Sequence, residues 1–146
     1  MENFPKAYDP STLEDKWYKK WQENNIYKAD NNSAKPKYSI LMPPPNVTGI
    51  LHFGHVLNQT IQDVYCRWKR MDGYEVCWFP GMDHAGIATQ SKVEASLKEE
   101  GLTRYDLGRD EFVKKVWLWK DKYGGIILNQ LRKLGISADW SREIFT

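Results

Sequence analysis

The stretch that decides the fold is Tyr38-Ser-Ile-Leu-Met-Pro-Pro-Pro-Asn-Val-Thr-Gly-Ile-Leu-His-Phe-Gly-His55. Tyr38 to Met42 is a short apolar run with the length of a buried strand. Pro43-Pro44-Pro45 ends it abruptly, because each proline fixes φ and removes a backbone donor. Gly49 and Gly54 permit tight turning and close approach of a ligand to the backbone. Beyond His55 the period changes. Leu57, Ile61, Val64 or Tyr65, Trp68 and Met71 recur at helical spacing on one face, and Gly73 is placed to terminate the helix.

Downstream, Glu75 to Phe79 reads as a second strand closed by Pro80-Gly81. Strand, helix and strand within about 40 residues make a βαβ unit, with a parallel pair and a right-handed crossover. A weaker helix is expected from about Ala85 to Glu100, ended by Gly101. A long one is expected from near Arg109, with Phe112, Val116, Trp119, Tyr123, Ile127, Leu131 and Leu134 on its stripe. Gly124-Gly125 interrupts it, so a kink or a close backbone contact is expected there. Ile136 to Thr146 leaves the helix. Upstream, Ser11-Thr-Leu-Glu14 fits a capping box, and Leu13, Trp17 and Trp21 continue a first helix. A polar stretch, Lys28 to Lys37, reads as a surface connector. The expected fold is therefore α/β, a Rossmann-like parallel sheet flanked by helices. An N-terminal helix and connector (1–37) precede the part that carries the sheet (38–146).

Composition narrows the partners. With 21 basic and 19 acidic side chains the formal charge is +2, and the signs are interleaved, so no polybasic membrane patch or electrostatic nucleic-acid stripe stands out. Cys66 and Cys77 are not a C-x-x-C pair, and both read as buried thiols. No run reaches the roughly 18 apolar residues of a membrane span and no signal-peptide core is present. A cytoplasmic protein is expected. Arg67, Lys69 and Arg70 read most simply as a solvated helix end, where cations suit the dipole.

Open α/β sheets bind ligands beyond the carboxyl ends of their strands. Two loops meet that description, Pro43 to His55 and Pro80 to Gly86, and between them they carry all three histidines. The prolines form a rigid ledge of carbonyl acceptors suited to an ammonium group. His52 and His55 stand together at a helix N-terminus, which favours a phosphate chain and could stabilise charge on a phosphoryl group under attack. Asp83 could pair with a substrate ammonium or cap the following helix. Structural histidines, or an H-x-x-H metal pair with His84, Asp83 or Cys77, are the alternatives. The Gly-rich strand-to-helix context favours a phosphate site, so no protein-bound metal is expected.

At these residues the sequence resembles the class I aminoacyl-tRNA synthetases, whose signature is His-x-Gly-His. The motif Pro45, Asn46, Val47, Thr48, Gly49, Ile50, Leu51, His52, Phe53, Gly54, His55 is closest to the valine-specific branch. Gly81-Met-Asp-His-Ala-Gly-Ile-Ala-Thr-Gln90, Tyr105-Asp-Leu-Gly-Arg109 and Ala138-Asp-Trp-Ser-Arg-Glu143 support it. The resemblance implies that His52 and His55 are catalytic, that His52, Gly54, His55 and Thr48 bind ATP, and that Pro44, Asn46 and Asp83 hold the amino acid. It implies ATP with Mg²⁺, valine and tRNA(Val) as substrates and partners of a monomeric, non-membrane ligase. Phe53 and Met82 depart from the commonest pattern without removing a needed donor or acceptor, so changed packing and unchanged roles are expected. The family's Lys-Met-Ser-Lys-Ser-like loop, editing insertion and anticodon-binding helices lie outside this sequence. The segment is expected to end before that insertion and not to charge tRNA alone. A non-catalytic nucleotide- or RNA-binding module, or a ligase for a neighbouring aliphatic amino acid, is the alternative.

Overall fold

Two parallel strands, β1 (Lys37–Leu41) and β2 (Glu75–Phe79), pair in register from Lys37 opposite Glu75 to Leu41 opposite Phe79. They are joined by a 19-residue helix, so the βαβ unit read from the sequence is present. The structure is a computed structural model that describes residues 6–146. In chain order it contains α1 (Glu14–Glu23), β1, α2 (Phe53–Met71), β2, β3 (Gly81–Met82), α3 (Ile87–Glu99), α4 (Arg104–Lys133) and β4 (Ile144–Phe145). The core gathers Met42, Val47, Cys66, Val76, Trp78, Met82, Ile127, Leu131, Ile136 and Ala138, sealing the sheet between α2 and α4. Val93, Leu97 and Phe112 form a smaller cluster between α3 and α4.

The ladder continues past the strand ends. The Met42 N–H donates to Phe79 O at 3.0 Å, so the prolyl segment runs on beside the chain that follows β2. On the far edge of β2, Asp139 N–H donates to Trp78 O at 2.9 Å, and β4 then pairs parallel to β3. That approach needs a glycine: a Cβ on Gly81 would lie 2.6 Å from the Ile144 carbonyl oxygen.

An apolar stripe ordinarily marks the buried side of a helix. On α2 it does the reverse. Leu57, Ile61, Val64, Tyr65, Trp68 and Met71 all face outward, while Gln59 and Cys66 are buried. The inward side is held by a polar network. The Asp63 carboxylate accepts from Ser137 N–H (2.8 Å) and hydroxyl (2.6 Å), and Arg67 bridges Asp63 (2.8 Å) to the Gly135 carbonyl (2.8 Å). Arg70 reaches the Ser137 hydroxyl and carbonyl at 2.6 and 2.8 Å. Arg67 and Arg70 are therefore not a solvated helix end. They clamp α2 to the turn after α4, with three hydrogen bonds from the Arg67 guanidinium and two from that of Arg70 offsetting their desolvation. The accessible surface, 10156 Å², exceeds the roughly 7,800 Å² expected of a self-contained domain of this mass, and the α2 stripe contributes to the excess.

Local departures from the sequence reading have simple causes. Asp9, not Ser11, caps the N-terminal turn, its carboxylate accepting from Ser11 N–H, and the capping box of α1 is not formed. Helix α4 opens with a turn from Arg104, set by the Thr103–Asp106 capping box, and its long continuous part starts at Arg109, where the sequence places it. Its break falls at Gly108, with φ of 72°, and not at Gly124-Gly125. Gly124 faces the Met82 side chain, where a Cβ would stand 3.4 Å from the sulfur and terminal carbon, an ordinary contact distance.

Candidate active site

Two loops leave the carboxyl ends of β1 and β2 and are hydrogen-bonded to one another. Asp83 N–H donates to Pro45 O at 2.9 Å and Val47 N–H donates to Asp83 O at 3.0 Å, so Asn46 and Asp83 form a parallel bridge. The Pro45 carbonyl is therefore occupied. Pro44 and Asn46 are exposed on the ledge, beside the half-buried Asp83.

Helix α4 pins the first loop at both ends. The Trp119 indole N–H donates to Val47 O at 2.9 Å, and the Gln130 side-chain oxygen accepts from Leu51 N–H at 2.9 Å. Thr48 and Gly49 are half-buried and Ile50 exposed between these anchors. In the sequence Trp119 lies on the apolar stripe of the long helix and Gln130 carries no signal, since periodicity finds apolar stripes and not a polar side chain aimed at a distant backbone.

The histidines build a cap from imidazole. His52 is the N-cap of α2; its Nδ1 accepts from Gly54 N–H at 3.1 Å, and His55 Nδ1 accepts from His52 N–H at 3.2 Å. Their rings lie 3.9 Å apart, centroid to centroid. An Nδ1 that accepts cannot carry the proton, so each neutral ring carries it on Nε2 and offers that N–H outward. Partial burial, and then the neighbouring His52, hold the His55 imidazole below the ordinary histidine range, keeping it neutral. Gly54 permits this geometry: a Cβ there would lie 3.0 Å from His52 Cε1 and 3.2 Å from Nδ1.

Asp83 is the carboxylate of the second loop. Its Oδ1 accepts from Ala85 N–H at 3.1 Å and from the Thr146 hydroxyl at 2.9 Å. Those two bonds, the backbone one first, hold the carboxyl below its usual range. Asp83 thus caps the turn before α3, and its Oδ2 has no hydrogen-bond partner among the described residues. His84 stands on the same threonine, with Nδ1 2.9 Å from Thr146 Oγ1. An apolar cavity of about 480 Å³, lined by Val47, His84, Phe112, Trp117, Phe145 and Thr146, opens on that side. The histidine cap instead stands on open surface, with His52, Phe53 and Gly54 exposed. Met82 is buried against Gly124. Among the described residues no three His, Cys, Asp or Glu side chains group as a metal site.

Comparison with known proteins agrees with this strand–loop–helix geometry. Residues 16–146 match the family model for tRNA synthetases class I (I, L, M and V). The chain belongs to the class I tRNA synthetase family. Within that family it is 59% identical over 142 residues to the valine–tRNA ligase of Syntrophotalea carbinolica, covering 97% of this chain and 16% of that protein. It is 57% identical over 144 residues to the valine–tRNA ligase of Thermus thermophilus, covering 99% and 17%. The chain thus spans about a sixth of the length of these synthetases. A LeuRS of Agrobacterium radiobacter, solved in a ternary complex with tRNA and LeuAMS, superposes with a TM-score of 0.75 at 24% identity. That match covers 96% of this chain and 16% of the LeuRS, and establishes the shared class I fold.

Proposed function

We propose that this chain carries the His-x-Gly-His half of the active site of a valine–tRNA ligase. On this reading, residues 38–146 form the first half of the catalytic domain and the described part of the N-terminal segment, residues 6–37, packs on it; residues 1–5 lie outside the described residues. The observation that supports the reading is the bridge between Asn46 and Asp83, which joins the two loops leaving the carboxyl ends of β1 and β2, the first of which leads into the His52-capped helix α2. Identity of 55–59% to valine–tRNA ligases over nearly the whole chain supports the choice of amino acid. The outward α2 stripe and open site, in a segment one-sixth the length of its relatives, are consistent with further chain covering this face.

The free Asp83 oxygen would accept from the ammonium of valine, with the Pro44 carbonyl and Asn46 beside it. The valine carboxylate oxygen then attacks the α-phosphorus of Mg²⁺–ATP, the bond to the β,γ-phosphates breaks, and pyrophosphate leaves. The Nε2–H groups of His52 and His55, aided by the α2 N-terminus, would stabilise charge growing on the phosphates. Gly54 lets the phosphate chain come close to the backbone, and Thr48 adds a hydroxyl. The adenylate's carbonyl carbon is next attacked by a hydroxyl of the terminal adenosine of tRNA(Val), releasing AMP. A monomer working in the cytoplasm completes the proposal; no described helix is long and apolar enough to cross a membrane.

The test is amino-acid-dependent exchange of pyrophosphate into ATP by the full-length protein, with valine, isoleucine and leucine compared. Strong preference for valine is expected. Preference for isoleucine or leucine would move the assignment to a neighbouring ligase, and no exchange with any of the three would leave a nucleotide- or RNA-binding module.

A further inference from the structure

We propose that Thr146 is a positioning residue for the amino-acid-binding carboxylate, an inference that rests on the reading of Asp83 just given. Thr146 is 63 residues away in sequence, yet its hydroxyl sits between Asp83 and His84. The protons around that oxygen can be assigned. It has one hydrogen and two lone pairs. It lies 2.9 Å from Asp83 Oδ1, 3.1 Å from His84 N and 2.9 Å from His84 Nδ1. A carboxylate can only accept, so the single hydroxyl hydrogen goes to Asp83. The backbone N–H of His84 can only donate, and His84 Nδ1, which also lies 3.3 Å from Asp83 Oδ1, faces two oxygens and acts as a donor. All four hydrogen-bonding groups are satisfied by one arrangement, in which Asp83 Oδ1 is fully engaged and Oδ2 alone remains for an ammonium.

The threonine is delivered by structure, not by chance proximity. Thr146 N–H donates to Met82 O at 3.2 Å, and Ile144 and Phe145 pair with Gly81 and Met82. Gly81, where a Cβ would strike the Ile144 carbonyl oxygen, allows that pairing. Upstream, the buried Asp139 carboxylate accepts from Ala29 N–H at 3.0 Å, Ser141 N–H at 3.1 Å and Arg142 Nε at 3.1 Å, fixing the turn from which β4 departs. The chain that follows α4 thereby sets the orientation of a carboxylate on the opposite loop. After the backbone bond from Ala85, the same hydroxyl helps hold the Asp83 carboxyl below its usual range, which agrees with this role.

The experiment measures steady-state pyrophosphate exchange by the full-length enzyme for Thr146→Val, Thr146→Ala, Thr146→Ser and Asp83→Asn. Losing one hydrogen bond to a charged group should raise the valine KM about tenfold in the Val and Ala variants, with the ATP KM unchanged. Thr146→Ser should restore the valine KM to within about twofold of wild type. Without the hydroxyl the carboxyl titrates higher, so the acid limb of kcat/KM for valine should move to higher pH in Val and Ala and not in Ser. An unchanged valine KM and acid limb in Thr146→Val, with valine recognition lost in Asp83→Asn, would overturn the role of Thr146 and leave the site assignment standing. Unchanged valine recognition in Asp83→Asn would overturn the site assignment itself. A parallel rise in the ATP KM of Thr146→Val and Thr146→Ala would make the threonine merely structural.

Discussion

Gly54→Ala separates stability from function more sharply than any other single change in this segment. The added Cβ would meet His52 Cε1 at 3.0 Å and Nδ1 at 3.2 Å, so the imidazole must give by a few tenths of an ångström, enough to strain its 3.1 Å bond from Gly54 N–H. Two stability effects then oppose each other. Alanine in place of a helical glycine gains up to about 1 kcal/mol. Loss of the bond from Gly54 N–H to His52 Nδ1 costs about 1 kcal/mol, the usual worth of an N-cap. The net change should be near zero, and the melting temperature of the full-length protein should stay within about 4 °C of wild type. On the proposed reading catalysis has no such compensation, because the shifted ring would misplace the Nε2–H assigned to a phosphate. Removing one preorganised donor of this kind costs roughly 10²–10³ in rate. Thermal unfolding and valine-dependent pyrophosphate exchange, measured on the same preparation, decide it. An alanine variant that keeps wild-type exchange would refute the imidazole-cap argument, as would one whose activity falls only in step with a collapsed melting temperature.

Trp119→Phe keeps an aromatic ring, though a smaller one, and leaves the Val47 carbonyl without its donor. Denaturant unfolding should register a loss of about 1–3 kcal/mol, and pyrophosphate exchange should fall with the loosened loop. Acid stability should follow Asp139. Burial alone would raise its pKa, but hydrogen bonds from Ser141, Ala29 N–H and Arg142 outweigh burial and hold the folded value below 3.8. Its contribution is therefore complete above that pH and is lost as pH falls through the folded value. Denaturant midpoints taken from about pH 5 to about pH 3 should fall less steeply in Asp139→Asn than in wild type. Cys66 is buried and its thiol is pushed up to about 12, so alkylation at about pH 8 should label it only after unfolding, as read by peptide mass mapping.

Much of this architecture was legible in the sequence because it rests on chain stiffness and period. Three prolines must end β1, Gly73 sits just past the end of α2, and the switch from a five-residue run to helical spacing marks βαβ. The two loops could be placed together because parallel strands share their carboxyl ends, and the Asn46–Asp83 bridge bears that out. What escaped the sequence was orientation and long-range polarity. Periodicity tells which α2 residues share a face, not which face meets the sheet; the Asp63–Arg67–Arg70–Ser137 network decides that. The roles of Gln130 and Thr146 depend on hydrogen bonds spanning 79 and 63 residues, and no local pattern encodes them. The double use of His52, as helix cap and outward donor, needed Nδ1 geometry that the letters alone do not carry.

The central claim is that one crevice joins the Asp83 ledge to the histidine cap. A crystal structure of the full-length enzyme with a non-hydrolysable valyl-adenylate analogue tests it most directly. The account predicts the valine ammonium within about 3.2 Å of Asp83 Oδ2, with the Nε2 atoms of His52 and His55 turned toward the phosphoryl mimic. An analogue whose ammonium lies away from Asp83, or whose phosphoryl mimic is remote from both imidazoles, would contradict it.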